Sequence, residues 1–201
     1  MPRAPWLLLL LSTLAFLPSA HAQEHWTSAF SLSVRGDLAI PTGDITRAVG
    51  HRVGYGFGAV LRYWPVQHLG IYAGWDRFEF RESTDLVASK LVDSGFRAGV
   101  EANLQPFGSR RVDPFAFGGL LWARTRLSRT DTTDATLSVR SGRDAGFEAG
   151  AGVRVPVGHG IWLIPEGRYR RHPADLAPLL AAAGRSHVSY FGVNLGLWFH
   201  L

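Results

Sequence analysis

The sequence predicts an all-β fold: an eight-stranded antiparallel transmembrane β-barrel of up-and-down topology with a filled polar interior. Three observations predict it. Apolar and polar residues alternate at every second position, the alternation recurs in eight segments, and the connections between these segments are alternately short and long. Because successive side chains of a strand point to opposite faces, each segment is interpreted as a two-faced strand.

The alternation is clearest at the end of the chain, from residue 191 to residue 201. Apolar side chains occupy every second position there, and glycine, asparagine, tryptophan and histidine lie between them. A helix would instead repeat its apolar positions every three or four residues. The eight predicted strands are 28–40, 53–65, 69–81, 91–104, 112–127, 145–157, 160–171 and 187–201.

The connection lengths predict how the barrel lies in a membrane. Four connections are long and polar or irregular, namely 41–52, 82–90, 128–144 and 172–186; three are short, namely 66–68, 105–111 and 158–159. Outer-membrane barrels have short periplasmic turns and longer outside loops. An N-terminus in the periplasm therefore sends every long connection outward, and the even strand count returns the C-terminus to the periplasm.

Glycine and aromatic positions favour a membrane barrel over a soluble one. Glycines lie on the polar face, where a narrow eight-stranded lumen needs small residues beside long ones: Gly54, Gly56, Gly58, Gly95, Gly99, Gly150, Gly152, Gly192 and Gly196. Aromatic residues on the apolar face fall near two rims, as expected where rings meet lipid head groups. The outer ring comprises Tyr55, Phe57, Phe96, Tyr169 and Phe191, and the periplasmic ring Phe30, Tyr63, Phe115, Phe117 and Phe199.

The polar face is then the interior, and it is rich in charges of both signs. The predicted interior network comprises Arg35, Asp37, Arg62, Asp93, Arg97, Glu101, Arg124, Arg126, Glu148, Arg154, Glu166, Arg168 and Arg170. Asp76 is expected to join it, although the alternation of the third strand blurs after Trp75. Unpaired charges in so narrow a lumen would be costly, so we expect paired, hydrogen-bonded side chains that plug it.

The N-terminus predicts export. Arg3 precedes an apolar run from Trp6 to Leu17, and Ala20-His21-Ala22 supplies small residues at a cleavage site, which is typical of a secretory signal peptide. We expect residues 1–22 to be removed and residues 23–201 to form the barrel. The formal charge of +5 comes almost entirely from arginine. No basic run with interleaved aromatic residues predicts nucleic-acid binding, so anionic head groups or buried ion pairs account for the arginine better.

Short motifs in four strands carry a family resemblance. These are 36–44, beginning Gly-Asp-Leu-Ala; 113–119, beginning Asp-Pro-Phe; 166–169; and 191–196. Together they resemble the small outer-membrane β-barrel family that includes the OmpA transmembrane domain and the OmpX-like proteins, over residues 24–201. The resemblance implies a C-terminal insertion signal read by the outer-membrane assembly machinery, here Leu195, Leu197, Phe199 and Leu201. The usual terminal aromatic residue is replaced by Leu201, and no peptidoglycan-binding domain is expected.

Candidate chemistry is sparse. His187 and Ser189 have the His-x-Ser spacing used by lipid A deacylases, and two such residues share a strand face. They lie in the last strand, however, whereas the lipid A deacylases, which this chain resembles in size, carry the pair in the preceding strand, so we expect no catalytic residues. His51, His172 and His187 lack the close spacing of a metal site. The segment Thr130–Thr136 lacks the ligand spacing of a calcium loop, so no metal or cofactor is expected.

The expected function is therefore a structural or loop-mediated surface role in the outer membrane of a Gram-negative bacterium, without enzymatic activity. A narrow anion-permissive pore and a lipid A-modifying enzyme are the alternatives. Expected partners are outer-membrane lipid, lipopolysaccharide and the assembly machinery, with no nucleic acid, and the chain is expected to be a monomer. The apolar segment 176–183 in the last long loop is expected to cover the barrel mouth, or to contact lipid A or a partner.

Overall fold

The computed structural model describes residues 30–46, 52–66, 68–83, 87–104, 112–131, 136–158, 160–176 and 186–201. The expected signal peptide lies outside these residues. Nine strands are present: β1 (Phe30–Thr42), β2 (Gly54–Val66), β3 (Leu69–Ser83), β4 (Val87–Asn103), β5 (Asp113–Asp131), β6 (Thr136–Arg140), β7 (Asp144–Gly158), β8 (Ile161–Ala174) and β9 (Ser186–His200). A short 3-10 helix, Gly43–Ile45, follows β1.

Eight of these strands form a closed antiparallel barrel. Strands that follow one another in the chain pair with each other, except that β7 pairs with β5 instead of with β6. The pairing of β1 with β9 closes the ring. The short β6 pairs with the end of β5, from Arg126 to Thr130. The predicted fold class and up-and-down topology are therefore confirmed, and each of the eight predicted strands is present.

Two connections predicted as loops are largely strand. β3 and β4 remain paired as far as Ser83 and Val87, so only residues 84–86 separate them, and the predicted connection 128–144 contains β6. The prediction was wrong there because, at this end of the strands, apolar side chains point inward and charged side chains point outward, which is the opposite of the pattern in the rest of each strand. We call the end of the barrel at which β1, β3, β5 and β8 finish the loop end, and the opposite end the turn end.

At the turn end, a glycine with a left-handed backbone conformation precedes β8. Gly160, between β7 and β8, has a φ of 73°, which a side chain would disfavour. β7 and β8 pair from Gly158 and Ile161 onward, with an irregularity after Pro156. Among the described residues, no helix is long and apolar enough to cross a lipid bilayer.

Candidate functional site: the barrel lumen and the loop end

The outer wall of the barrel is an apolar belt. Large side chains that point outward between the two ends remain one-third or more exposed, among them Leu32, Val34, Leu38, Leu61, Ile71, Val100, Leu120, Val193, Leu195 and Leu197. Soluble monomers rarely expose a continuous apolar surface of this kind. A belt that runs round a closed barrel is the surface that hydrocarbon chains of a bilayer would cover.

Aromatic residues border this belt. Tyr55, Phe57, Phe96 and Phe191 are exposed toward the loop end, and Phe30 and Tyr63 toward the turn end. The rings of Phe30 and Tyr63 lie 4.8 Å apart, and those of Tyr169 and Phe191 4.9 Å apart, across neighbouring strands. Trp122 and Phe147 are also exposed toward the loop end, although the sequence analysis did not include them.

Inside the barrel, the centre is an ionic network around Asp76. Arg35 Nη2 donates to Asp76 Oδ1 at 2.5 Å. The other carboxylate oxygen lies 3.3 Å from both Arg97 Nε and Arg170 Nη1, and 3.6 Å from Arg168 Nη1. One buried carboxylate therefore faces four guanidinium groups. Its negative charge offsets the repulsion between these buried positive charges.

Further carboxylates complete this central ionic network. Glu148 lies 2.9 Å from Arg97 Nη1 and accepts a 2.8 Å hydrogen bond from the Tyr72 hydroxyl. Glu166 accepts from Arg35 at 3.1 Å and from the Asn194 amide at 3.0 Å. Arg168 Nη2 donates to Asp37 at 2.6 Å. Charges of both signs thus compensate one another across strands far apart in sequence.

At the turn end the lumen is filled by an arginine among aromatic rings. The guanidinium carbon of Arg154 lies 4.8 Å from the ring centroid of Trp64, 4.4 Å from that of Phe115 and 4.6 Å from that of Trp198. Arg154 also bonds Glu101, which pairs with Arg62 at 2.9 Å. Stacking and charge pairing together compensate the burial of Arg154.

At the loop end the lumen is apolar. Phe78, Phe80, Leu91, Leu127, Val188 and Tyr190 form one buried cluster with Ala39, Ala174 and Leu176. Below it the Tyr190 hydroxyl donates to Asp93 at 3.1 Å, and His172 lies 3.2 Å from the same carboxylate. Leu176 belongs to the segment expected to cover the barrel mouth; the rest of that segment, from residue 177, lies outside the described residues.

Inward glycines make room for these rings. A Cβ on Gly152 would lie 2.8 Å from the ring of Phe115, one on Gly70 2.9 Å from that of Trp64, and one on Gly56 2.7 Å from that of Phe78. Real Cβ atoms do not approach so closely. These glycines are inward, and each leaves room for an aromatic ring from a neighbouring strand.

Eleven of the thirteen predicted interior residues are buried inside the barrel, and Asp76 joins them. The two exceptions are Arg124 and Arg126, which are exposed on the outer face of β5. Their assignment to the interior was wrong because it assumed an apolar exterior along the whole strand. Beyond the aromatic border the polarity reverses: apolar side chains fill the mouth, and charged side chains face outward.

Phe115 and Phe117, predicted in the periplasmic ring, are also interior. The strand β5 is apolar on both faces, so its alternation does not distinguish inside from outside. His172, which lies in the predicted connection 172–186, is buried because β8 continues to Ala174. Tyr72 and Trp64 are interior residues that were not predicted, although Tyr72 shares strand parity with Asp76 and Trp64 with Arg62. Trp198 is buried on the polar face of the last strand, where the alternation placed it.

The loop end carries an open cavity of about 510 Å³ at the junction of β8, β9 and β1. Asp44, Arg171, His187 and Ser189 line it above Tyr169 and Phe191. The Ser189 hydroxyl donates to the Thr42 carbonyl at 2.9 Å, whereas His187 Nδ1 lies 3.9 Å from Asp44. The hydroxyl proton thus points to the backbone rather than to the imidazole that would have to remove it.

Three further predictions concern metal ligands and the C-terminus. Within the described segments, no group of three or more histidine, aspartate or glutamate residues could hold a metal ion; His51 lies outside those segments. In the last strand, Leu195, Leu197 and Leu201 are exposed on the outer face and Phe199 is half-buried. They form one lipid-facing row, and its role as an insertion signal stays a prediction.

The fold is that of known small outer-membrane barrels. The chain is similar to Neisserial surface protein A (NspA), with a TM-score of 0.61 and 16% identity over 87% of this chain and 98% of that one. For Ail, the attachment invasion locus protein of Yersinia pestis, the TM-score is 0.54 and the identity 14%, over 86% and 99% of the chains. The expected structural resemblance is thereby confirmed.

A third similar structure is the outer membrane protease OmpT from Escherichia coli, with a TM-score of 0.50 and 8% identity over 92% of this chain and 100% of that one. Because an attachment protein and a protease both have folds similar to this one, the fold by itself does not decide the activity. No protein-family model and no curated protein sequence matches the chain.

Proposed function

We propose that the chain is an integral outer-membrane barrel whose lumen is closed and whose role is structural or carried by its loop end. The observation that carries this proposal is the combination of an exposed apolar belt outside and three filled layers inside. The apolar belt is the kind of surface that a bilayer covers. Because the lumen is filled, the loop end is the surface on which partners can bind. The similarity to NspA and Ail supports the outer-membrane location.

Membrane fractionation and a heat-modifiability gel test the location. We expect the processed protein in the outer-membrane fraction, migrating differently before and after boiling because the folded barrel resists detergent. Recovery in the soluble periplasmic fraction would contradict the proposal.

Replacing Leu195 with arginine tests whether the belt faces lipid. Leu195 is 54% exposed midway along β9, and a charge there should destabilise the barrel in lipid by about 2–4 kcal/mol. Leu137 in β6 is 60% exposed beyond the belt, so Leu137→Arg should cost much less. The free energy of unfolding in phospholipid vesicles measures both. Equal effects would show that hydrocarbon does not cover Leu195.

Planar-bilayer recording tests whether the lumen conducts. The Asp76 network and the Arg154 stack fill successive levels of an eight-stranded lumen, which has little free bore. We therefore expect no stable conductance steps from heat-modifiable protein. Reproducible anion-selective steps would instead support the alternative of a narrow pore, for which the arginine-rich interior is the favouring observation.

Lipid A modification is the second alternative. The hydrogen bond from Ser189 to Thr42 speaks against a serine nucleophile at the cavity, and no enzymatic role is proposed. Mass spectrometry of lipid A from cells that express the chain checks this: we expect unchanged masses, and a shifted lipid A mass that depends on Ser189 would support the enzyme.

A further inference from the structure

Cationic side chains are concentrated on the outer face of β3 to β6, toward the loop end. We call this set the basic strip: Arg77, Arg81, Lys90, Arg124, Arg126 and Arg140. All six are at least partly exposed. Two of them, Arg124 and Arg126, were predicted in the lumen, and only the folded barrel brings all six onto one face.

The strip lies directly beyond aromatic residues of the same strands. Trp75, Phe96 and Trp122 pair with one another in a row across β3, β4 and β5. Two residues farther toward the loop end on each strand, Arg77, Ser94 and Arg124 form the next outward row. Aromatic rings mark the boundary between hydrocarbon and head groups, so these cations lie at head-group depth.

Among the described side chains, most of the strip has no carboxylate partner. Glu79 is the carboxylate on this face among the described side chains, and it pairs with Arg81 and, at 2.9 Å, with Lys90. It also accepts a 3.0 Å hydrogen bond from the Tyr55 hydroxyl. In the described part of the chain, no carboxylate forms an ion pair with Arg77, Arg124, Arg126 or Arg140.

Two pairs of arginines within the strip are placed to bind an anion with one or two negative charges. Arg126 and Arg140 are directly opposite each other on β5 and β6, and like charges at such positions destabilise a sheet unless an anion lies between them. Arg77 and Arg124 lie on either side of the small Ser94 in the same outward row. Guanidinium pairs of this kind bind phosphate oxygens through several hydrogen bonds at once.

We propose that the basic strip binds the phosphate groups of a phosphorylated glycolipid of the outer leaflet, of which lipid A is the type, while the row of Trp75, Phe96 and Trp122 contacts its acyl chains. This proposal rests on the proposed function, since it requires the barrel to lie in the outer membrane with the loop end outside. The cations lie nearer the loop end than the aromatic rings do. In the same way, the phosphates of such a lipid lie farther from the bilayer centre than its acyl chains.

A titration with lipid tests the proposal. The refolded full chain in zwitterionic micelles is titrated with diphosphoryl lipid A, with its dephosphorylated form and with phosphatidylglycerol, and tryptophan emission reports binding beside Trp75 and Trp122. We expect the diphosphoryl form to bind at least about tenfold more tightly than the other two. The triple variant Arg77→Gln, Arg124→Gln, Arg126→Gln should lose this preference.

The matched control removes the same charge elsewhere. Arg52→Gln, Arg129→Gln, Arg171→Gln replaces three exposed arginines that lie off the strip, and it should keep the preference. Equal loss in both triple variants, or equal affinity for all three lipids, would overturn the proposal. A heat-modifiability gel on each sample distinguishes failure of the lipid-binding inference from failure of the proposed function. A folded barrel without lipid preference refutes only the lipid-binding inference. A chain that never forms the barrel refutes the proposed function as well.

Discussion

Replacing Asp76 with asparagine should prevent or severely weaken barrel folding. The substitution keeps the size of the side chain but removes the negative charge that faces Arg35, Arg97, Arg168 and Arg170 at 2.5–3.6 Å. Breaking a buried ion pair costs about 3–5 kcal/mol because the partner charge stays buried. Here four partners share the carboxylate, and whole domains are stable by only about 5–15 kcal/mol.

Urea unfolding in micelles, followed by tryptophan fluorescence and by the heat-resistant fraction on gels, measures this effect. The matched control is Asp44→Asn, since Asp44 is about 40% exposed and faces His187 at 3.9 Å. An exposed pair of this kind contributes about 1 kcal/mol or less. Midpoints that are the same for both variants would show that the network does not depend on the charge of Asp76.

Replacing Gly150 with valine should have the second large effect. A Cβ at this position would lie 2.7 Å from Phe117 Cε1 and would also meet the backbone oxygen of Gly167. The strands β7 and β8 are paired there, so the backbone cannot move away without breaking the ladder. Overpacking of a filled interior typically costs about 1–3 kcal/mol, and we expect the upper end of that range or more.

Gly167 provides the control on the same pair of strands. It faces outward, and a Cβ there would have nothing within 4 Å. Gly167→Val should therefore leave stability unchanged or raise it slightly, because glycine weakens a strand and valine suits a lipid-facing one. Refolding yield and unfolding midpoint compare the two. Similar losses for Gly150→Val and Gly167→Val would contradict a packed lumen.

The candidate sites were predictable to different degrees. Eleven interior charges were identified because the outward sides of their strands are apolar, which fixes the inward side by parity alone. Parity gave the wrong side for Arg124 and Arg126, since the exterior is apolar only along the belt. Near the loop end the polarity reverses: charged side chains lie on the exterior, and Phe78 and Phe80 fill the mouth. A periodic pattern reports which residues share a face, but not which environment that face meets.

The interior aromatic residues show the same limit. Trp64 and Trp198 could be placed inside by parity, yet their contact with Arg154 depends on which strands meet across the lumen. Those strands are distant in sequence, and glycines on others, such as Gly70, leave the necessary space. Such contacts follow from strand register and barrel closure, which a local pattern does not contain.

By itself, the sequence determined the eight strands of the barrel, their alternation and the grouping of connections into long and short, because period-two patterning and turn composition are local properties of the chain. Only the tertiary structure decided the ion-pair partners of Asp76, the aromatic surroundings of Arg154 and the exposure of the basic strip. Each of these brings together side chains from several strands, and their distances are set by register and closure. The inward and outward sides of β5, apolar on both faces, were decided for the same reason by its neighbours.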